Sequence, residues 1–438
     1  SRNARLLRSR CKSYHQTMQT FYSLPDWLTL EHQVAQILTQ QELHGWYFNI
    51  NEANDLESKL SSEFEIIVKK LRKKYPFVAG SLFTPKRNNA TQGYVEGCEI
   101  QRIKELNPTS RDHIAWILKT HENWKPKSLT ISGKAVIDET VLKDIGSETA
   151  LLFLQCLDIT KKLGMISQGV NAWQKLCTMS NRIHHHCSVT TNTYRASHRK
   201  PNLGQVPADE EFRRLFTASP GKVMVGADLS GIELRMLAHY LGRYDGGRYA
   251  DILLNGDIHQ VNADKIGISR RQVKTVTYAF LYGAGNLKLG LSFDPQLSES
   301  KATKKGKEIR AAYIDAIDGL GKLLKAVNDK STQGYLKAID SRKVLVDSRH
   351  KALNYLLQCG AGVIAKRWMV IANDKLKNTH TKQLAFIHDE LQYECDPQYT
   401  DEVKTTLEDS AVEAGVYYKL RCPIAAESKS GANWSEVH

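Results

Sequence analysis

From about Leu28 to Tyr75 apolar side chains return every three or four positions, the spacing of a helix with one buried face. The stretches LEHQVAQILTQQELHG and NEANDLESKLSSEFEIIVKKLRKKY carry this pattern, and Gly45 falls between them where a helix would be capped. Two antiparallel helices are predicted. Between Pro76 and Pro108 the pattern breaks into FVAGSLFTPKRNNATQGYVEGCEI, whose Gly, Pro and Asn-Asn punctuation predicts an irregular or hairpin insertion of about thirty residues. It is a candidate docking or DNA-contacting loop. Helical spacing resumes at SRDHIAWILKTH, with Ser110 as cap, and at SETALLFLQCLDITKKLGMISQGVNAWQKL. A strand-like, turn-rich region follows, RIHHHCSVTTNTYRASHRKPNLGQVP. Next come a short strand Val223 to Val225 feeding a helix, a helix in SRRQVKTVTYAFLYGAG, and a charged helical section from Leu297 to Lys330. Near the C-terminus QLAFIHDELQYEC predicts two short strands meeting at a polar tip. There is no fixed-period repeat, no low-complexity segment and no apolar run of the roughly 18 residues needed to span a membrane.

A chain of 438 residues is long for one core and predicts two to four subdomains. Lys plus Arg exceed Asp plus Glu by 61 − 47 = 14, which favours a polyanionic partner, nucleic acid or an anionic membrane surface. The eight cysteines are scattered without C-x-x-C, as expected of free thiols in a reducing cytosol. The first residues, SRNARLLRSRCKSYHQ, lack the apolar stretch of a signal peptide and begin with Ser, as a processed or truncated chain would.

Candidate chemistry sharpens the picture. Asp228 lies just past the predicted strand in VMVGADLSGIEL, and Asp389 follows the strand Leu384 to Ile387. Two acids on strand ends would repel unless cations intervene, and Mg²⁺ prefers one or two carboxylates completed by waters and substrate phosphates. Arg270, Lys274, Tyr278 and Tyr282 are four residues apart. On a helix they make a slanted stripe about 18 Å long, the reach of a nucleotide. Arg270 and Lys274 would hold phosphates, Tyr278 would face sugar and base, and Tyr282 would offer a ring to stack on. Singly, each acid reads as a solvated turn residue and the basic pair as the wet side of an amphipathic helix; together they point to metal-assisted phosphoryl transfer. The run His184-His185-His186-Cys187 is not read as a zinc site, because adjacent strand residues face opposite ways and no second ligand cluster has closed-site spacing.

The spacing Arg-x₃-Lys-x₃-Tyr-x₃-Tyr-Gly, preceded by D-x-S-G-x-E-x-R and followed by H-D-E, closely resembles the family A (Pol I-like) DNA polymerases, above all bacteriophage members of the T-seven kind. The likeness extends through YRASHRKPNLGQVP, RKVLVDSRHKALNYLLQCGAG and the terminal ANWSEVH, covering nearly the whole chain from Leu28. It implies an α+β right-hand fold: an N-terminal remnant or linker over 1–27, a helical thumb over 28–180 with a shortened insertion near 76–108, an antiparallel-sheet palm over 181–256 and 339–438, and helical fingers over 257–338. The implied activity is template-directed addition of dNTPs to a primer 3′-hydroxyl by two-metal phosphoryl transfer, in replication of viral DNA. By the same resemblance Asp228, Asp389 and the Leu229 carbonyl bind two Mg²⁺, for which Mn²⁺ can substitute, and Lys274 donates a proton to the leaving pyrophosphate. His259 contacts phosphate. Glu233, packed beneath the sugar with Tyr278, excludes a 2′-hydroxyl. Arg195, Asn354 and Gln358 reach the minor groove, where acceptors common to all base pairs let donors check pairing geometry, and His388 touches the primer terminus.

The pattern departs from the family in places. No acidic exonuclease motifs occur, so extension without 3′–5′ proofreading is expected of this chain. The insertion near 76–108 is shorter than the one with which phage relatives recruit thioredoxin, which counts against such a processivity factor; primer–template DNA, dNTPs and a replisome helicase–primase are the implied partners, in the cytoplasm of a bacterial host. Ala279 stands where Gly is usual, and Arg349 where Pro is. Tyr278 and Glu233 argue against a single-subunit RNA polymerase, the intact acids and stripe against a non-catalytic clamp, and the ordered motifs against a membrane-surface protein.

Overall fold

The computed structural model describes residues 24–295 and 297–438, so the remnant expected over 1–27 falls almost wholly outside the described residues. Two compact units emerge: one joins the residues up to Phe48 with Arg182–His438, and the other is Asn49–Asn181.

In the Asn49–Asn181 unit the helix Ile50–Lys74 starts where the Asn49 side chain accepts the Glu52 N–H. The expected insertion is a hairpin, Phe77–Phe83 antiparallel to Ile100–Glu105, with Phe77, Leu82 and Ile103 exposed. Ser110 caps the helix Arg111–His121 by accepting the His113 N–H, and Ser147 caps Glu148–Leu163 in the same way. Leu71, Ile114, Leu118 and Phe153 meet in this unit's own core.

The other unit is built on a four-stranded antiparallel sheet. Its strands are β1 (Val223–Leu229), β2 (Lys382–Ile387), β3 (Glu390–Cys395) and β4 (Ala426–Gly431), in the order β2-β3-β1-β4. β1 is buried from Met224 to Ala227 without alternation, as a strand covered on both faces must be. It runs further than its apolar residues suggest: Glu390 and Glu427 pair with Asp228 from either side, so Asp228 lies inside the ladder and not beyond it. Gly226 is needed there, since a Cβ would meet the Gln392 side chain and the Val437 carbonyl at 2.6 Å.

Six helices of this unit matter for the site: α1 (Asp26–His44), α2 (Ile232–Leu241), α3 (Ile258–Ile266), α4 (Arg270–Leu281), α5 (Ala352–Lys375) and α6 (Thr400–Tyr417). α5 is apolar nearly all round and correspondingly buried, with the Trp368 indole N–H donating to the Leu407 carbonyl of α6. Leu30, Val34, Ile37 and Leu38 of α1 join the same core. A boundary drawn at residue 28 therefore differs from the observed division at Asn49, because the apolar stripe of α1 is spent on the sheet-bearing unit.

Candidate active site

Antiparallel pairing brings the two acids together. Asp389 occupies the two-residue turn between β2 and β3, its carbonyl accepts the Leu229 N–H at 3.0 Å, and the next residue, Glu390, is the ladder partner of Asp228. His388 completes that turn at φ 59°, a left-handed conformation seldom taken by a residue with a side chain. Burial, then Asp389 and Glu390, push the Asp228 carboxyl up to about 7. Asp228 still opens to water, so solvent screens part of that burden and the neighbouring carboxylates carry the argument. Burial and then Glu233 push Asp389 up to about 6 against the opposing pull of Arg195. Glu390 is no third free acid: Trp434 Nε1 donates to it at 2.6 Å and His438 lies 3.2 Å from its other oxygen. Among the described residues no group of three or more His, Cys, Asp or Glu side chains could hold a metal ion. The available donors are two hard carboxylates under mutual repulsion, which fits a divalent cation completed by backbone, water and phosphate oxygens.

α4 begins with a capping box in which Ser269 and Gln272 satisfy each other's backbone N–H groups. Arg270 is exposed and its Nε donates to Asp257 at 2.6 Å, while Lys274, also exposed, has no ion-pair partner among the described residues. Tyr278 sits 6.3 Å from the His259 ring and stacks on Tyr282 at 6.5 Å and 23°. The Tyr282 hydroxyl donates to Glu233 at 3.2 Å; Arg195 Nη2 lies 3.3 Å from the same Glu233 oxygen and 3.9 Å from Asp389. Stripe and acid pair are thus joined through one buried carboxylate and one guanidinium.

The profile of DNA polymerase family A matches residues 86–436. The chain belongs to DNA polymerase family A. Its polymerase relatives include the DNA-directed DNA polymerases of Enterobacteria phage T3 and Escherichia phage T7, each 30% identical over 93% of this chain and 70% of the relative. That of Escherichia phage Phieco32 is 26% identical over 90% and 75%. The fold resembles the polymerase domain of Pol1 from M. smegmatis, solved with DNA primer-template and dNTP, at a TM-score of 0.75, 21% identity and coverage of 93% and 70%. The chain is accordingly a DNA-directed DNA polymerase with the α+β right-hand fold.

In this polymerase the remaining candidate residues are each held by particular neighbours. Asn354 is buried, and its side-chain amide donates to the Leu281 carbonyl at 2.7 Å, tying down the end of α4. Tyr282 lies just past the end of α4, and its hydroxyl engages Glu233. Gln358 follows one turn after Asn354 on α5, half-buried. His259 is buried with an unpartnered Nδ1, and burial lowers its pKa. His388 lies 6.2 Å from the His198 ring. The three consecutive histidines diverge: His184 and His186 bond to Glu42 and His185 to the Leu384 carbonyl. Sequence reasoning missed Asp257, which caps α3 by accepting the His259 and Gln260 N–H groups and also anchors Arg270. Its D-x-x-Q spacing was the available signal.

Proposed function

We propose that this polymerase extends the 3′-end of a DNA primer along a template, one dNTP at a time, in replication of a viral genome. The observation that carries the reading is the convergence of Asp228 and Asp389 on neighbouring strand ends, linked through Arg195 and Glu233 to α4. Asp228, Asp389 and the Leu229 carbonyl would hold two divalent cations, Mg²⁺ or Mn²⁺ in its place, which when bound supply charge neutralisation to the triphosphate and acidify the primer hydroxyl. Arg270, freed from Asp257, and Lys274 bind the triphosphate, and Lys274 holds the proton destined for the departing pyrophosphate oxygen. His259 adds a phosphate contact. Tyr278 faces the incoming sugar and base, while Glu233, fixed by Arg195 and Tyr282, fills the space a 2′-hydroxyl would need. Gln358 and Arg195 donate to minor-groove acceptors, and His388 meets the primer end. Support for the substrates comes from the M. smegmatis structure with primer-template and dNTP and from the phage relatives.

The test is primer extension by the Asp389→Ala chain. Loss of at least about 10³-fold in turnover with primer–template affinity retained is expected; turnover near wild type would refute the assignment.

A further inference from the structure

A cavity of about 580 Å³ opens in the sheet-bearing unit, and its lining shares no residue with the acid pair or the α4 stripe. Buried Leu323 and Leu356 give it an apolar floor. Arg243, Lys330, Lys337, Lys419 and Arg421 stand exposed on its walls, none with an ion-pair partner among the described residues, and no Asp or Glu lines it. Five unopposed cations around one concavity repel each other until an anion enters.

A second observation points the same way. Tyr240 lines the cavity as a further aromatic side chain, with its hydroxyl sealed from water. Beside it the buried His239 accepts the Arg421 N–H on Nδ1, so its proton sits on Nε2 and the ring is a further donor. Burial, and then Arg421 and Arg243, hold that imidazole neutral, with its pKa lowered to about 4. The volume is that of a site for a compact organic ligand, and the join of apolar floor, phenol rings and cationic walls suits a flat ring bearing phosphates better than an extended chain.

We propose that this cavity is a second nucleotide site, taking a nucleoside di- or triphosphate with its base over Leu323 and Leu356 and its phosphates among Arg243, Lys330, Lys337, Lys419 and Arg421. The experiment is calorimetric titration of ADP, in EDTA, into the full chain carrying Arg270→Ala and Lys274→Ala, which silences phosphate binding by α4. One ADP per chain is expected. Lys337→Glu with Lys419→Glu, both exposed and away from the core, weakens it by at least about tenfold while leaving the melting temperature unchanged. Absence of ADP binding in the α4 variant would overturn the proposal. So would indifference to the charge reversals, or binding of inorganic phosphate or a hexaglutamate peptide as tightly as ADP.

Discussion

Glu233 has only 8% of its surface exposed and sits between a guanidinium and a phenol, so its charge is satisfied in place and its carboxylate is immobile. Under the proposed role this rigidity is what makes it selective, because a carboxylate free to swing aside would admit a ribose. Glu233→Ala should therefore raise incorporation of NTPs relative to dNTPs by about tenfold or more, read as the ratio of kcat/KM values. Tyr282→Phe, which removes one of the two anchors, should raise it less. An unchanged ratio in both variants would reject the role. The carboxylate pair and the cationic stripe were legible in the sequence because their residue types and order carry the chemistry. The anchoring was not. Tyr278 and Tyr282 lie one turn apart on the same stripe, and periodicity cannot say that α4 stops at Leu281 and turns the second phenol toward Glu233. Nor does an i, i+4 position on α5 reveal that Asn354 is consumed by a backbone carbonyl.

α1 shows the same limit one scale up. Its apolar spacing announced a helix with a buried face, yet spacing does not name the surface that covers it. What fixes α1 is polar and distant in sequence. Arg367 bonds Asp26 at 2.8 Å, Lys366 bonds Glu31 at 2.7 Å with Arg342 on the same oxygen, and His44 meets Glu394 at 2.7 Å. Lys366 has no exposed side-chain surface, so Glu31→Gln leaves an ammonium buried without its counter-charge and should cost about 3–5 kcal/mol in chemical denaturation. Adding Lys366→Met should recover most of that loss; no recovery would show that the charge pairing is not what holds α1. At the other end, burial alone would raise the Glu394 carboxyl, but hydrogen bonds from His44 and from the Ser219 N–H and hydroxyl overcome it and hold the group down to about 2 from an ordinary 4.5. A folded-state pKa below the unfolded one stabilises fully above about pH 4.5, and the contribution drains away as pH falls toward 2. The melting-temperature gap between wild type and Glu394→Gln should close across that window; a gap independent of pH would refute the ionised contact.

Across the whole molecule the excess of 14 positive charges bears on affinity rather than on fold. Two lysine-rich helix faces lie in water: Lys69, Lys70, Lys73 and Lys74 on the helix Ile50–Lys74, and Lys301, Lys304 and Lys307 on the helix Glu299–Ala316. Exposed lysines spread over long helices neutralise phosphates without reading bases, and each neutralised phosphate releases counterions whose return is favoured by salt. Affinity for primer–template should fall by about 10³-fold or more between roughly 50 and 200 mM salt if six or more phosphates are engaged, and by the same factor for duplexes of unrelated sequence. The Asp389→Ala chain should follow the wild-type slope, since that carboxylate contributes no phosphate contact. If the Glu299–Ala316 helix lies on the DNA path, Lys304→Glu with Lys307→Glu should flatten the slope by about one to two phosphate equivalents. Filter-binding titrations across that salt range separate the cases: a slope near zero would mean the positive charge is not spent on DNA, and a wild-type slope in the double reversal would move the path away from that helix.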